Sequence, residues 1–290
     1  MPAQSVTDYE TFPAVFARKH NQRDLDGIAG VKFKLIEFLR ASVSHEWDTC
    51  GKPRTDAFHH INFVCEGRGE VWSDRHRVVL EPGNVYWLPD HTPLHAQLHE
   101  PLHVYFLRMR CEWLAGLDVF WNWHQPLCLG PWDPAHFLPQ WQESPLSGGA
   151  YWELLGFLYR AFASQYSLLA DHIQRQFSLH SAFGKSFDLI DRRLSAILQV
   201  AELAKAHGTT LAAFTRLFRR HFGVAPKAYL NRRLNQEACE LILSTDLPVR
   251  EVACRLKFTD EYYFNRFFSK MNGIPPRRYR RSALGRSTMR

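Results

Sequence analysis

Between residues 31 and 110 apolar positions recur with a period of two, the spacing of half-buried strands. Val31, Phe33 and Leu35 alternate with Lys32 and Lys34, and residues 61–64, 70–73, 77–80, 85–88 and 104–109 are apolar runs of strand length. The turns between them are marked by Glu66-Gly67-Arg68-Gly69, Asp74-Arg75, Glu81-Pro82-Gly83-Asn84 and Pro89-Asp90-His91-Thr92-Pro93. Short strands at such close spacing predict a small antiparallel barrel or jelly roll. Residues 112–149, rich in Pro and Trp (Trp113, Trp121, Trp123, Trp132, Trp141), predict irregular cover over that barrel. Trp152, Leu155, Tyr159, Phe162 and Tyr166 then follow at helical spacing. Their aromatic stripe packs either on its own domain or on a second subunit.

A polar stretch, 171–185, contains Ser178, Ser181 and Gly184 and predicts the connection between two domains. Beyond it the period is helical, with helices expected at 186–198, 199–206, 210–222, 226–243, 248–256 and 260–271 and a short one near 276–282. Gly208, Gly223 before Pro226, Pro248, and Gly273 before Pro275-Pro276 stand at the joints. The pattern as a whole predicts an α+β chain of two domains. A β-barrel with accessory helices occupies residues 1–180, and an all-α domain occupies 186–283.

The helical half contains an internal repeat. Arg216, Phe218, Gly223, Val224, Pro226 and Tyr229 return fifty residues later as Arg266, Phe268, Gly273, Ile274, Pro276 and Tyr279. Glu202-Leu203-Ala204 matches Glu251-Val252-Ala253 at a spacing of forty-nine, so the second copy carries one extra residue in its turn. Each copy has the form of two helices joined by a tight turn, with Thr209 or Thr210 able to cap the second helix of the first copy. In that helix Leu211, Phe214, Leu217 and Phe218 form the inward stripe, leaving Ala212, Thr215, Arg216 and Arg219 on one outward strip. In the second copy Phe264, Phe267, Phe268 and Met271 face inward, and Tyr262, Asn265, Arg266 and Ser269 face outward with Lys270 beside them. Arg and Asn at such positions are base-reading types in a major groove. The helix between the copies would hold the two reading helices about 34 Å apart, one turn of double-stranded DNA. Arg220, Lys227, Arg232, Arg277, Arg278, Arg280 and Arg281 remain for phosphate contacts that position without specifying.

Charge follows the same division. Residues 181–290 hold 21 Lys and Arg against 9 Asp and Glu, whereas residues 1–180 are net negative by five. A polyanion partner is therefore expected at one end only. With 46% hydrophobic residues the chain has ample material for packed cores. The six cysteines (Cys50, Cys65, Cys111, Cys128, Cys239, Cys254) form no Cys-x-x-Cys pair, which favours reduced, buried thiols over disulfides or a zinc ribbon. Met1 to His20 has no apolar core of signal-peptide length, and no apolar run approaches a membrane span. A cytoplasmic protein with no membrane partner is the expectation.

The helical segment resembles the DNA-binding domain of the AraC/XylS family of bacterial transcription regulators. The resemblance runs from Glu202-Leu203-Ala204 through Leu217-Phe218-Arg219-Arg220, Gly223-Val224-Ala225-Pro226, Val249-Arg250-Glu251-Val252-Ala253 and Tyr263-Phe264-Asn265-Arg266-Phe267-Phe268 to Pro275-Pro276-Arg277-Arg278-Tyr279. It implies a tandem helix-turn-helix with Ala212, Thr215, Arg216, Tyr262, Asn265 and Arg266 at base-contacting positions, and RNA polymerase and a homodimer as partners. Lys257 stands where the family usually carries Gly before Phe258. A non-Gly residue at positive φ there costs roughly 1 kcal/mol.

The first half resembles the family's cupin-like effector domain, through Glu66-Gly67-Arg68-Gly69 and the run from Leu80-Glu81-Pro82-Gly83-Asn84 to Leu88-Pro89, followed by His95. Strand register suggests His60, Trp72, Trp87 and His95 as the lining of a small-molecule effector pocket, suited to a sugar or to an aromatic acid. Cupins include metal enzymes, and His59, His60, His91, His95, His99 and His103 raise that alternative. Adjacent His59 and His60 would point to opposite faces of a strand, and no His-x-His with a following carboxylate is present. No metal, cofactor or catalytic residue is therefore expected. A ligand-blind regulator is the other alternative.

Overall fold

The computed structural model describes residues 31–44, 47–49, 51–113, 117–141 and 146–287, with side chains up to residue 281. Met1 to His20 and Cys50 lie outside the described residues. The strands are β1 (Lys32–Val43), β2 (His59–Glu66), β3 (Gly69–Trp72), β4 (Arg77–Leu80), β5 (Asn84–Leu88), β6 (His95–Leu98), β7 (Leu102–Trp113), β8 (Leu117–Asp118) and β9 (Leu127–Pro131). Six of them form a large antiparallel sheet in the order β1-β7-β2-β5-β9, with β8 on β7, and the other three form a small sheet in the order β4-β3-β6. These sheets face each other and do not close into the predicted barrel, because the four-residue strands β4 and β6 pair only with β3.

Alternation along each strand builds two cores on the two faces of the large sheet. Ala41, Val64, Tyr86, Leu88, Val104 and Phe106 meet Val71, Leu80, Ala96 and Leu98 of the small sheet. On the opposite face Ile61, Phe63, Val85, Trp87, Leu107 and Met109 pack against the helices α1 (Pro134–Trp141) and α2 (Gly148–Ser164). The Trp-rich region is thus more ordered than irregular cover. It contributes β9 and α1, and Trp132 stacks on Trp141 at 5.4 Å inside this core.

Helix α2 divides the aromatic stripe read from the sequence. Leu155 and Phe162 are buried, whereas Trp152, Tyr159 and, at the start of the next helix, Tyr166 are exposed. That next helix, α3, runs unbroken over Tyr166–Arg193, so the expected connection at 171–185 lies inside it. Leu169 belongs to the core of the sheet domain, and Leu179, Phe183, Phe187 and Ile190 belong to the first helical core. The polar residues that suggested a linker lie mostly on the solvent side of α3: Ser178 and Ser181 are exposed, and Gly184 is half-buried within the helix.

Six further helices follow among the described residues: α4 (Val200–His207), α5 (Leu211–Phe222), α6 (Pro226–Ser244), α7 (Val249–Arg255), α8 (Glu261–Asn272) and α9 (Pro276–Ser287). The helix pairs α4/α5 and α7/α8 are the two copies of the repeat, and α6 is the spacer. Of the five described cysteines, Cys111 and Cys239 are buried, Cys65 is half-buried, and Cys128 and Cys254 are exposed; all five are free thiols.

Candidate nucleic-acid interface and ligand cavity

Matched caps define the two reading helices. Thr210 accepts a hydrogen bond from the Ala213 N–H at 3.3 Å to start α5, and Asp260 accepts one from the Tyr263 N–H at 2.6 Å to start α8. Both helices end on a glycine in the left-handed region, Gly223 (φ 71°) and Gly273 (φ 75°). Both are fastened by fully buried phenylalanines: Phe214, Phe218 and Phe222 in α5, and Phe264 and Phe268 in α8. Leu211, expected inward, is exposed, because the inward face begins at Phe214 and is completed by Phe222.

The candidate reading residues share the outer strips. Ala212, Arg216 and Arg219 are exposed and Thr215 half-buried on α5; Tyr262, Arg266 and Lys270 are exposed and Asn265 half-buried on α8. The Asn265 amide donates to the Glu261 carbonyl at 2.8 Å, and the Arg266 guanidinium lies 5.8 Å from the Tyr262 ring centroid. Of the candidate phosphate contacts, Arg220, Lys227, Arg277 and Arg278 are exposed on the same domain. Arg277 lies 3.9 Å from Glu261.

Between the two sheets lies a cavity of about 710 Å³. Its apolar wall includes Val71, Leu80, Leu88, Ala96, Val104 and Phe106, and its polar end is formed by Asp56, His60 and Arg108, with Asn62 beside them. Of the four residues expected to line an effector pocket, only His60 does so. Trp72 and His95 stack on each other at 5.4 Å on the far side of the small sheet, since their neighbours Val71 and Ala96 take the inward positions. Trp87 is wholly buried on the helix side of the large sheet, where it contacts Phe120 and Phe162, and Leu88 faces the cavity instead. In all three cases the residue is one step out of register with the cavity face.

Arg108, inside the run 104–109 of strand β7 that is otherwise apolar, is the residue that sequence reading missed. Its guanidinium donates to Glu37 Oε2 at 2.5 Å, to His60 Nε2 at 3.2 Å and to Asp56 Oδ2 at 3.4 Å. Burial opposes its charge, but Asp56, Tyr279 and Glu37 outweigh that and raise its pKa further. A charged residue inside the apolar run 104–109 was the available signal, since burying it requires partners.

A second polar cluster lies on the other side of β2. The ligand atoms of buried His59, Asp90 and Asp118 all fall within 4.8 Å of one another, the one such group among the described residues. His59 Nδ1 accepts from the Trp87 indole N–H at 3.2 Å and from the Asp90 backbone N–H at 3.0 Å. Its proton therefore sits on Nε2, where it is donated to Asp118 Oδ2 at 2.9 Å. This arrangement leaves no imidazole lone pair for a cation, so the cluster fits a structural role and not a metal centre. Asp90 extends it into the helical domain by accepting from Gln236 Nε2 at 3.1 Å.

Two family models divide the chain along the same lines. One, for the AraC-like ligand binding domain, matches residues 35–165, and one for a helix-turn-helix domain matches residues 203–282. The chain belongs to the AraC family of transcription regulators. Among relatives of this AraC-family chain, the arabinose operon regulatory protein of Escherichia coli is 24% identical over 250 residues, covering 76% of this chain and 79% of that protein. The uncharacterized HTH-type transcriptional regulator YijO of Escherichia coli is 32% identical over 114 residues, 39% of this chain and 40% of its own length. In fold, the chain resembles ToxT from Vibrio cholerae bound to a naphthalenyl butenoic acid, with a TM-score of 0.54 at 9% identity, over 88% of this chain and 99% of that one. Among the described residues of the AraC-family chain, no helix is long and apolar enough to cross a membrane.

Proposed function

We propose that this chain is a sequence-specific DNA-binding transcription regulator whose activity is set by a small molecule held between the sheets. The observation that carries the reading is the pair of outer strips, Ala212-Thr215-Arg216-Arg219 and Tyr262-Asn265-Arg266-Lys270, set on helices with matching caps and matching buried phenylalanines. An arginine on each strip can pair with guanine, Asn265 can pair with adenine, and the Thr215 methyl can meet thymine. Arg220, Lys227, Arg277 and Arg278 supply phosphate contacts. The strips differ in residue type, so each monomer reads an asymmetric site. RNA polymerase is the partner through which such a regulator acts, and the cytoplasm is where it meets both.

A homodimer is supported by the α2–α3 face. Trp152 is 72% exposed, and Tyr159 and Tyr166 continue the exposed line at seven-residue intervals. Selection from a random pool of double-stranded DNA tests the main reading. The expected product is a site whose two unlike halves lie about 10 base pairs apart. Recovery of no enriched sequence contradicts it.

A further inference from the structure

The polar end of the cavity shows a ligand its carboxylate and not its guanidinium. Arg108 is only 8% exposed and already faces two carboxylates, Glu37 and Asp56. Asp56 is 26% exposed and His60 is 20% exposed, and they form the accessible surface of this end. Burial alone would raise the Asp56 pKa, but the Arg108 guanidinium, with the Phe58 backbone N–H, opposes it and holds the carboxyl well below the usual range, so it is ionised. One guanidinium against two carboxylates leaves no spare positive charge, and a carboxylate ligand placed here would meet like charge. Two positions along β2 on the same face, Asn62 also lines the cavity; it is buried, and its amide nitrogen has no hydrogen-bond partner in the protein. The other buried polar groups of the wall are engaged: Thr49 with Ala96, and Thr92 with the Asp90 carbonyl and His124.

We infer that the cavity takes an uncharged, mainly apolar alcohol, its hydroxyl donating to Asp56 and its body filling the space between the sheets. A hydroxyl suits both kinds of group at this end, because it donates to a carboxylate and offers lone pairs to an amide N–H such as that of Asn62. Ether oxygens lack the donor. Carboxylates lack the donor and add the repelling charge. The inference rests on the proposed role of the cavity as the effector site, and its test separates the two.

The fluorophore N-phenylnaphthylamine, neutral and apolar, reports occupancy of the full-length protein, and geraniol, its methyl ether and geranate compete for the site with one shared body. Cavity-filling variants Ala96→Leu and Val104→Phe, each checked for an unchanged circular dichroism spectrum, are expected to abolish fluorophore binding. Geraniol is expected to displace the fluorophore at concentrations about tenfold lower than either the ether or geranate require, the size of one hydrogen bond to a charged acceptor. In Asp56→Asn the advantage over geranate is expected to shrink. Equal competition by geranate, or an order unchanged in Asp56→Asn, overturns the alcohol inference while leaving the cavity as a binding site. Should geranate match geraniol and lose binding in Arg54→Ala, the polar head lies at the exposed rim, which also overturns it. Fluorophore binding that persists in both filled variants removes the cavity reading, and the inference with it.

Discussion

Set side by side, the two helix-turn-helix units carry like outward faces but are attached to the rest of the molecule in different ways. In the first unit the carbonyl of Phe222, at the end of the reading helix, accepts from Trp121 Nε1 at 3.1 Å and from Asn122 Nδ2 at 2.7 Å, both in the turn after β8. Its phenylalanines also share a core with Phe183 and Phe187 of α3. In the second unit no such clamp holds the reading helix among the described residues. Instead, its core takes in Ala57 and Phe58, and Phe58 lines the cavity between the sheets. Gln236 donates to the Ala57 carbonyl at 2.8 Å, and the Arg108 guanidinium lies 5.8 Å from the Tyr279 ring centroid. A change in the cavity therefore meets the second unit's core directly, and reaches the first through the large sheet, the turn at Trp121 and α3. Coupling of this kind shifts DNA affinity only if the ligand binds the two arrangements unequally.

The turns sharpen the contrast. Gly208 and Lys257 occupy the same place: each donates its backbone N–H three residues back, to Lys205 and Cys254, and the next residue donates five back, to Ala204 and Ala253. Both are in the left-handed region, at φ 82° and φ 57°. Glycine is at ease there and lysine is not. The extra residue of the second copy is then Thr259, between this turn and the Asp260 cap.

The largest effect expected is from truncating the buried rings. Phe218→Ala and Phe268→Ala should each cost about 3 to 5 kcal/mol in denaturant unfolding. In hydrogen exchange the first should loosen α3, and the second should spare α3 and loosen the segment at Ala57 and Phe58 instead; equal spreading from both would break the comparison. Next is Asn122→Ala, which removes one of the two donors to the Phe222 carbonyl and should cost about 1 kcal/mol. Faster amide exchange is expected at the end of α5 and not of α8, and exchange unchanged in both would count against the clamp. Lys257→Gly should stabilise the second unit by up to about 1 kcal/mol, with a later melting transition, and a loss of stability would show that the lysine side chain has an unrecognised role.

Acid should weaken the first unit's side in a defined window. Burial, and then Arg175, push the His172 pKa down from 6.5 to about 4, so the folded protein holds this ring neutral. Unfolding frees it to take a proton. The stability this ring contributes is thus complete above pH 6.5 and declines as the pH falls towards 4. His172 contacts Trp123 at 5.3 Å, close to the clamp. His172→Asn should flatten the decline, and a wild-type protein equally stable across that window would contradict the assignment.

Legibility in the sequence depended on whether local pattern and tertiary demand agreed. The outward strips of α5 and α8 were legible because the repeat, the caps and the three-and-four spacing of phenylalanines all point the same way. β6 was not assigned, since its outward residues are His95 and Gln97 and only Ala96 and Leu98 face the core. Helix α3 looked like a linker because one helix serves two cores and turns serines outward between them. Aromatic residue type, taken as a sign of a ligand platform, picked Trp72, Trp87 and His95, where alternation would have picked Val71, Leu88 and Ala96. Arg108 is explained only by Glu37, Asp56 and His60, which reach it from other parts of the chain.

The claim that both units read DNA, each its own half of the site, is tested most directly by measuring binding of Arg216→Ala and Arg266→Ala to every single-base variant of the selected site. Each substitution should weaken binding by about 1 to 3 kcal/mol and relax base preference in one half only, a different half for each. Arg220→Ala should instead weaken all variants alike and flatten the salt dependence. Base preferences left intact by both Arg216→Ala and Arg266→Ala, or relaxed in the same half by both, would contradict the account.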